Sequence, residues 1–270
     1  MGDAPPQIDW AKALQAKGYK TDTPEQIIEA TQSSSYTARY KALVLLTERI
    51  GKQAIQTLKK SLSDPKLKVR WTAAHLLKTV GDTSGLEQMQ KDFDVLVPDG
   101  NFEFVLDPNA TEKKIRDQWG KWALRSIEAL EVAKVLAELG DTRGYKLAAT
   151  IVMYEHVEVT KGGFIELSAM DGNGALDWHR FKALMVLIEI AKMDKEKLKR
   201  ENINPLVLLK AIAASEKHRS TFNILTNQVK LQLPKEDAIE ILEIAKNNQH
   251  QSESTRRGCQ FALQRIKSTK

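Results

Sequence analysis

The chain has 270 residues, 42% hydrophobic, 28% charged and only 6% aromatic, which favours a folded helical protein over a disordered chain or a β-sandwich. No apolar run approaches the ~18 residues of a bilayer span, and the best candidate, Ala183–Ala191, contains Glu189. The single cysteine, Cys259, excludes an internal disulfide framework and a multi-thiolate zinc site, and the net charge of +6 gathers in residues 192–270, with 16 Lys/Arg against 9 Asp/Glu.

The elements follow from local signals. Met1-Gly-Asp-Ala-Pro-Pro-Gln7 has neither a basic n-region nor an apolar h-region, so no signal peptide is expected in this chain. A short helix is predicted from about Asp9 to Lys17. Thr23-Pro24-Glu25 then supplies an N-cap, a first-turn proline and a first-turn acid. The Ser33-Ser34-Ser35 break ends that helix, and Tyr36–Ile50 repeats apolar residues at helical spacing up to Gly51. Lys52–Ser63 follows, and Asp64-Pro65 opens a helix through Val80. Thr111–Leu139 reads as a long helical stretch broken near Gly120 or Arg125 into an antiparallel pair. Trp178–Met193 is the most apolar helix, and Pro205–Ser215, Lys217–Lys230, Pro234–Asn247 and Ser252–Lys267 complete the array. In the last of these Cys259 reads as a small core residue.

Two periodicities organise these elements. One places an Arg before small and apolar residues at helical spacing: Arg39/Ala42/Leu45/Leu46, Arg70/Ala73/Leu76/Leu77 and Arg180/Ala183/Val186/Leu187, with looser copies from Arg219 and Arg256. Recurrence of one supersecondary unit marks a solenoid, whose units bury their apolar faces only against neighbours. The other repeats Val80-Gly81-Asp82-Thr83-Ser84-Gly85 as Leu139-Gly140-Asp141-Thr142-Arg143-Gly144, an offset of 59. Each copy precedes a helix and then alternating residues around Asp99-Gly100 or Gly162-Gly163. Those are hairpin signals, so two inserted β-hairpins are expected, at about 94–107 and 156–168.

Asp64-Pro-Lys-Leu-Lys-Val-Arg70-Trp-Thr-Ala-Ala-His75-Leu-Leu-Lys-Thr-Val-Gly-Asp82 resembles the HEAT-repeat, armadillo-like family. The resemblance implies a polar Asp–Arg ladder along stacked inner helices, and it covers residues 24–93 best. Other copies depart from it: Ser33 stands where an Asp would precede Arg39, and no acid precedes Arg219 by six residues.

Motifs for chemistry are few. Asp171-Gly-Asn173-Gly-Ala-Leu-Asp177 resembles the middle of an EF-hand loop, making Asp171, Asn173 and Asp177 a candidate calcium set. Its first and last ligand positions are Ala169 and Arg180, and the alternative is a tight turn with Asp177 as N-cap. His75, His156, His179, His218 and His250 show no metal-ligand spacing. His75 reads as half-buried, and His179 and His218, each preceding a repeat Arg, read as repeat-surface residues. No dinucleotide fingerprint, Walker loop or nucleophile elbow occurs. Glu128/Glu131 and Glu240/Glu243 lie a turn apart, but beside so many lysines they read as solvated faces.

The expected fold is all-α, a right-handed α-α superhelix of HEAT-like solenoid type with two small inserted β-hairpins. Residues 1–23 form an N-terminal segment with a short helix and 24–270 one domain. The expected function is a non-enzymatic interaction scaffold that binds a protein or peptide on its concave inner-helix face. Arg39, Arg70, Trp71, His75, Arg180 and Arg219 would line or support that face, and no cofactor is expected. Rival readings are a nucleic-acid-binding protein of the HEAT-like DNA-repair type, a calcium module at 171–177 and an enzyme of the HEAT-like bilin lyase type. The chain is expected to be soluble, either cytoplasmic or exported without its signal peptide.

Overall fold

A computed structural model describes residues 8–98, 111–153, 157–159, 163–165, 175–214 and 232–268. The chain divides into two compact units, Met1–Phe93 and Asp94–Lys270.

The first unit contains α1 (Trp10–Gln15), α2 (Pro24–Ala30), α3 (Tyr36–Ile50), a 3-10 turn (Gly51–Ala54), α4 (Ile55–Ser61), α5 (Leu67–Thr79) and most of α6 (Leu86–Leu96). Thr23 caps α2 through a capping box with Gln26, so Pro24 stands where its missing N–H costs nothing. Helix α3 packs on α1, α2 and α5, and α5 packs on α4. Leu14, Ile27, Leu43, Leu46, Leu58 and Leu77 share one buried core. The N-terminal segment therefore belongs to this core, because Leu14 is fully buried and Trp10 and Tyr19 pack against it.

The second unit contains α7 (Glu112–Glu138), α8 (Tyr145–Met153), β1 (Val157–Val159), β2 (Gly163–Ile165), α9 (Ala175–Ala191), α10 (Lys195–Arg200), α11 (Pro205–Ala214), α12 (Lys235–Asn247) and α13 (Glu253–Ser268). Helix α9 lies against α7, α8 and α11, α11 lies against α12, and α12 lies against α13. The strands pair antiparallel, with Val157 opposite Ile165 and Val159 opposite Gly163. Buried Cys259 faces inward from α13 together with Ala262 and Leu263.

Three expectations need correction. Helix α7 runs unbroken through Gly120 and Arg125. A helical glycine costs ~1 kcal/mol against alanine, and the buried Trp122, Ser126, Ala129 and Leu130 that follow hold the helix together. The leading part of the first hairpin is also helical, since Asp94, Val95 and Leu96 finish α6. Met89, Phe93 and Val97 are buried at i, i+4 spacing, whereas Val95 is 81% exposed. A strand would place Val95 and Val97 on one face; residues 99–107 lie outside the described residues. Finally, α9 begins at Ala175, so Asp177 stands inside the first turn rather than at the N-cap.

The offset of 59 is a structural repeat. Gly81 (φ 86°) and Gly140 (φ 85°) occupy left-handed conformations after α5 and α7. Asp82 N–H then donates to the Leu77 carbonyl at 2.8 Å, and Asp141 N–H to the Leu136 carbonyl at 2.9 Å, the Schellman closure that glycine permits. Each aspartate accepts from the backbone N–H two residues on, Ser84 at 2.8 Å and Arg143 at 2.9 Å. The next helix then starts in close contact with the previous one. A Cβ on Gly85 would fall 2.7 Å from Ala74 Cβ, and one on Gly144 would fall 2.6 Å from Ala133 Cβ.

Candidate functional site

Arg39 and Arg70 form two rungs of one polar ladder in the first unit. Arg39 donates from Nε to Asp64 Oδ2 at 2.6 Å and from Nη2 to Asp64 Oδ1 at 2.8 Å. Its Nη1 donates to the carbonyls of Ser33 at 2.8 Å and Ser34 at 3.1 Å. Arg70 repeats this, donating from Nε and Nη2 to the two Asp92 oxygens, both at 2.9 Å, and from Nη1 to the Asp64 carbonyl at 2.8 Å. In both rungs Nη1 reaches back six residues and the fork reaches forward, from Arg39 to Asp64 in the turn before α5 and from Arg70 to Asp92 in α6. A bidentate fork suits the carboxylate geometry that only Arg offers.

Burial raises the Asp64 carboxyl, but hydrogen bonds from Arg39 and the Lys66 N–H, with the charges of Arg39 and Arg70, hold it below the usual range. The hydrogen bond to Asp64 pushes the Arg39 guanidinium up. Both arginines are mostly covered, with 12% and 18% of their side-chain surface exposed. They support the surface beside them without lining it.

That surface is formed by the residues next to each ladder Arg. Tyr36 and Tyr40 share a face of α3, and Lys68, Trp71 and His75 share one of α5, by their i, i+3 and i, i+4 spacing. The Tyr36 and Tyr40 ring centres lie 6.5 Å apart. Lys68 Nζ stands 5.6 Å above the Tyr40 ring and 4.6 Å above the Trp71 ring, within cation–π range of both. Tyr36 is 43% exposed, and Tyr40, Trp71 and His75 are half-buried.

In the second unit Arg180 is half-buried on α9, with Phe181 after it as Tyr40 follows Arg39 and Trp71 follows Arg70. Trp178 is half exposed, its ring centre 5.5 Å from that of Phe181, and Lys182 Nζ lies 4.8 Å above it. Lys182 also pairs with Glu131 of α7. A cavity of about 210 Å³ opens beside them, lined by Leu130, Glu131, Lys134, Phe181, Lys182 and Met185. An aromatic directly after the repeat Arg was legible in three copies. Trp178 was, like Trp71, Trp119 and Trp122, a candidate for a recognition surface from the sequence as an interface-type aromatic, whereas Tyr36, Lys68 and Lys182 could be recognised only once the helices were placed.

The other candidates separate from this face. His179 is buried rather than on the repeat surface: its Nε2 lies 2.9 Å from the Ala123 carbonyl and its ring stacks on Trp122 at 6.2 Å. It precedes Arg180 on the helix by one position, 100° round, which turns it toward α7. Glu131 pairs with Lys182, Glu240 with Lys210, and Glu243 with Lys246 and Lys267. Hydrogen bonds from those two lysines hold the Glu243 carboxyl below its ordinary range. Arg219, His218, His156, Asp171 and Asn173 lie outside the described residues. Among the described residues no cluster of three or more His, Cys, Asp or Glu is placed to hold a metal ion, and no helix is long and apolar enough to cross a membrane.

Compared with protein-family models, curated proteins and solved structures, the chain matches none of them.

Proposed function

We propose that this chain is a non-enzymatic helical-repeat scaffold of HEAT-like type, its helix pairs arranged as a right-handed solenoid, and that it binds a protein partner through the exposed face of α3 and α5. The observation that carries this reading is the Tyr36/Tyr40/Lys68/Trp71 cluster lying beside a ladder that immobilises its supporting helices. Aromatic side chains contribute much of the energy at protein interfaces, most of all where the backbone beneath them is already fixed. The Trp178/Phe181 cluster beside its cavity is a second contact of the same kind. Trp71 and His75 are contact residues in this reading, while Arg39 and Arg70 act through position.

The test is affinity capture from the source cells with the parent chain, the Tyr40→Ala/Trp71→Ala variant and a Phe261→Ser control, since Phe261 is 67% exposed on α13. The aromatic variant is expected to lose partners that the parent and control retain. Identical capture by all three would overturn the reading.

A further inference from the structure

We infer that the α3/α5 face takes an extended acidic peptide segment with apolar anchors, an inference that rests on the scaffold reading above and specifies the partner's chemistry. Lys68, His75 and Lys78 share the Trp71 face of α5, a helix that carries no acid, while Lys41 and Glu48 lie together further round α3 from Tyr36 and Tyr40. Opposite charge on the partner sets register and encounter rate, and the rings supply most of the affinity.

The ring geometry sets the spacing. Lys68 Nζ is 5.6 Å from one ring centre and 4.6 Å from the other, so the Tyr40 and Trp71 rings are at most 10.2 Å apart. A peptide in the extended polyproline II form rises ~3.1 Å per residue with three residues per turn, so two apolar side chains three residues apart lie on one side, about 9 Å apart, and could reach both rings. A carboxylate between them would meet the Lys68 ammonium from the solvent side, as a charge-assisted hydrogen bond.

A single-stranded nucleic acid fits less well. Its bases stack on open aromatic faces, and here the Lys68 head lies over both the Tyr40 and the Trp71 face.

A phage-displayed library of random peptides, selected on the parent chain and remeasured as fluorescein-labelled synthetic peptides, tests this. Enriched peptides should carry Asp or Glu between apolar residues. Their affinity should fall at least about tenfold in Lys68→Glu and in Trp71→Ala and should persist in Lys68→Arg, with circular dichroism of the variants unchanged. Peptides that Trp71→Ala abolishes but Lys68→Glu leaves untouched would overturn the acidic assignment while the scaffold reading survived. Absence of enrichment, or peptides indifferent to both substitutions, would overturn both. Tight retention of oligo-dT with a steep salt slope, lost in Trp71→Ala, would assign the face to nucleic acid instead.

Discussion

Replacing Asp92 with alanine would leave the Arg70 fork without the two oxygens that it meets at 2.9 Å, in a site where Asp92 is 7% exposed. Breaking a buried ion pair from one side costs ~3–5 kcal/mol. Because 18% of the Arg70 side chain still meets solvent, the lower end, ~3 kcal/mol, is expected. Arg70→Ala should cost as much, and it also strands the Asp64 carbonyl that Nη1 satisfies.

The second unit contains its own control. Advancing by 59 residues places Ala129 where Arg70 stands and Ile151 where Asp92 stands, both fully buried. Arg70→Ala/Asp92→Ile should therefore recover much of the loss, leaving ~1–2 kcal/mol for the Asp64 carbonyl without its donor and the Gln88 amide without the Asp92 oxygen that it meets at 3.0 Å. Replacing a buried pair by apolar groups is often neutral. Urea unfolding followed by far-ultraviolet circular dichroism reads the difference. With m ~1–3 kcal/mol/M, each single variant should shift the midpoint by about 1–3 M and the double variant by less. Single costs that simply add in the double variant would refute the coupled rung and the equivalence of the two copies.

Gly85→Ala and Gly144→Ala should each lower stability by ~1–3 kcal/mol in thermal unfolding, because the new Cβ would lie 2.7 Å from Ala74 Cβ or 2.6 Å from Ala133 Cβ. His179→Ala should cost ~2–4 kcal/mol and shift Trp122 emission to the red, since a buried ring and its bond to the Ala123 carbonyl are lost together. Tyr36→Ala, at a half-exposed position, should stay within ~0.5 kcal/mol of the parent by the same thermal measurement. Hydrogen bonds from Lys59 and Ser84 hold Asp82 down at about 2, and Asp64 is lowered too. Their contribution is complete above the unfolded carboxylate pKa of ~3.9 and is lost as pH falls through the folded values. Melting temperature should therefore drop between about pH 4 and pH 2, and less steeply in Asp82→Asn.

Much of this was legible locally. The Thr23-Pro24 start, the Gly51 stop and the Gly81/Gly140 turns rest on capping and left-handed glycine, which act within a few residues. The Asp-to-Arg spacing around Arg70 marked a polar ladder, but as a resemblance. Which carboxylate each Arg takes was not legible: Arg70 reaches six residues back only with Nη1 and gives its fork to Asp92, 22 residues ahead. His179 was misplaced because one position round a helix separates core from surface, and only the packing of α9 on α7 decides which side is which. The hairpin reading of 94–98 failed because alternation and helical spacing overlap in a short apolar run, and burial of Phe93 and Val97 chose the helix.

By itself the sequence determined most of the helix starts and stops, the 59-residue recurrence and the aromatic after Arg39, Arg70 and Arg180, since these depend on neighbours along the chain. Tertiary structure alone decided that Arg39 and Arg70 turn inward as rungs while Tyr40, Lys68 and Trp71 meet as one cluster. The reason is physical: a side chain's partners across helices depend on the rotation and separation of those helices, which the packing of many apolar residues sets together.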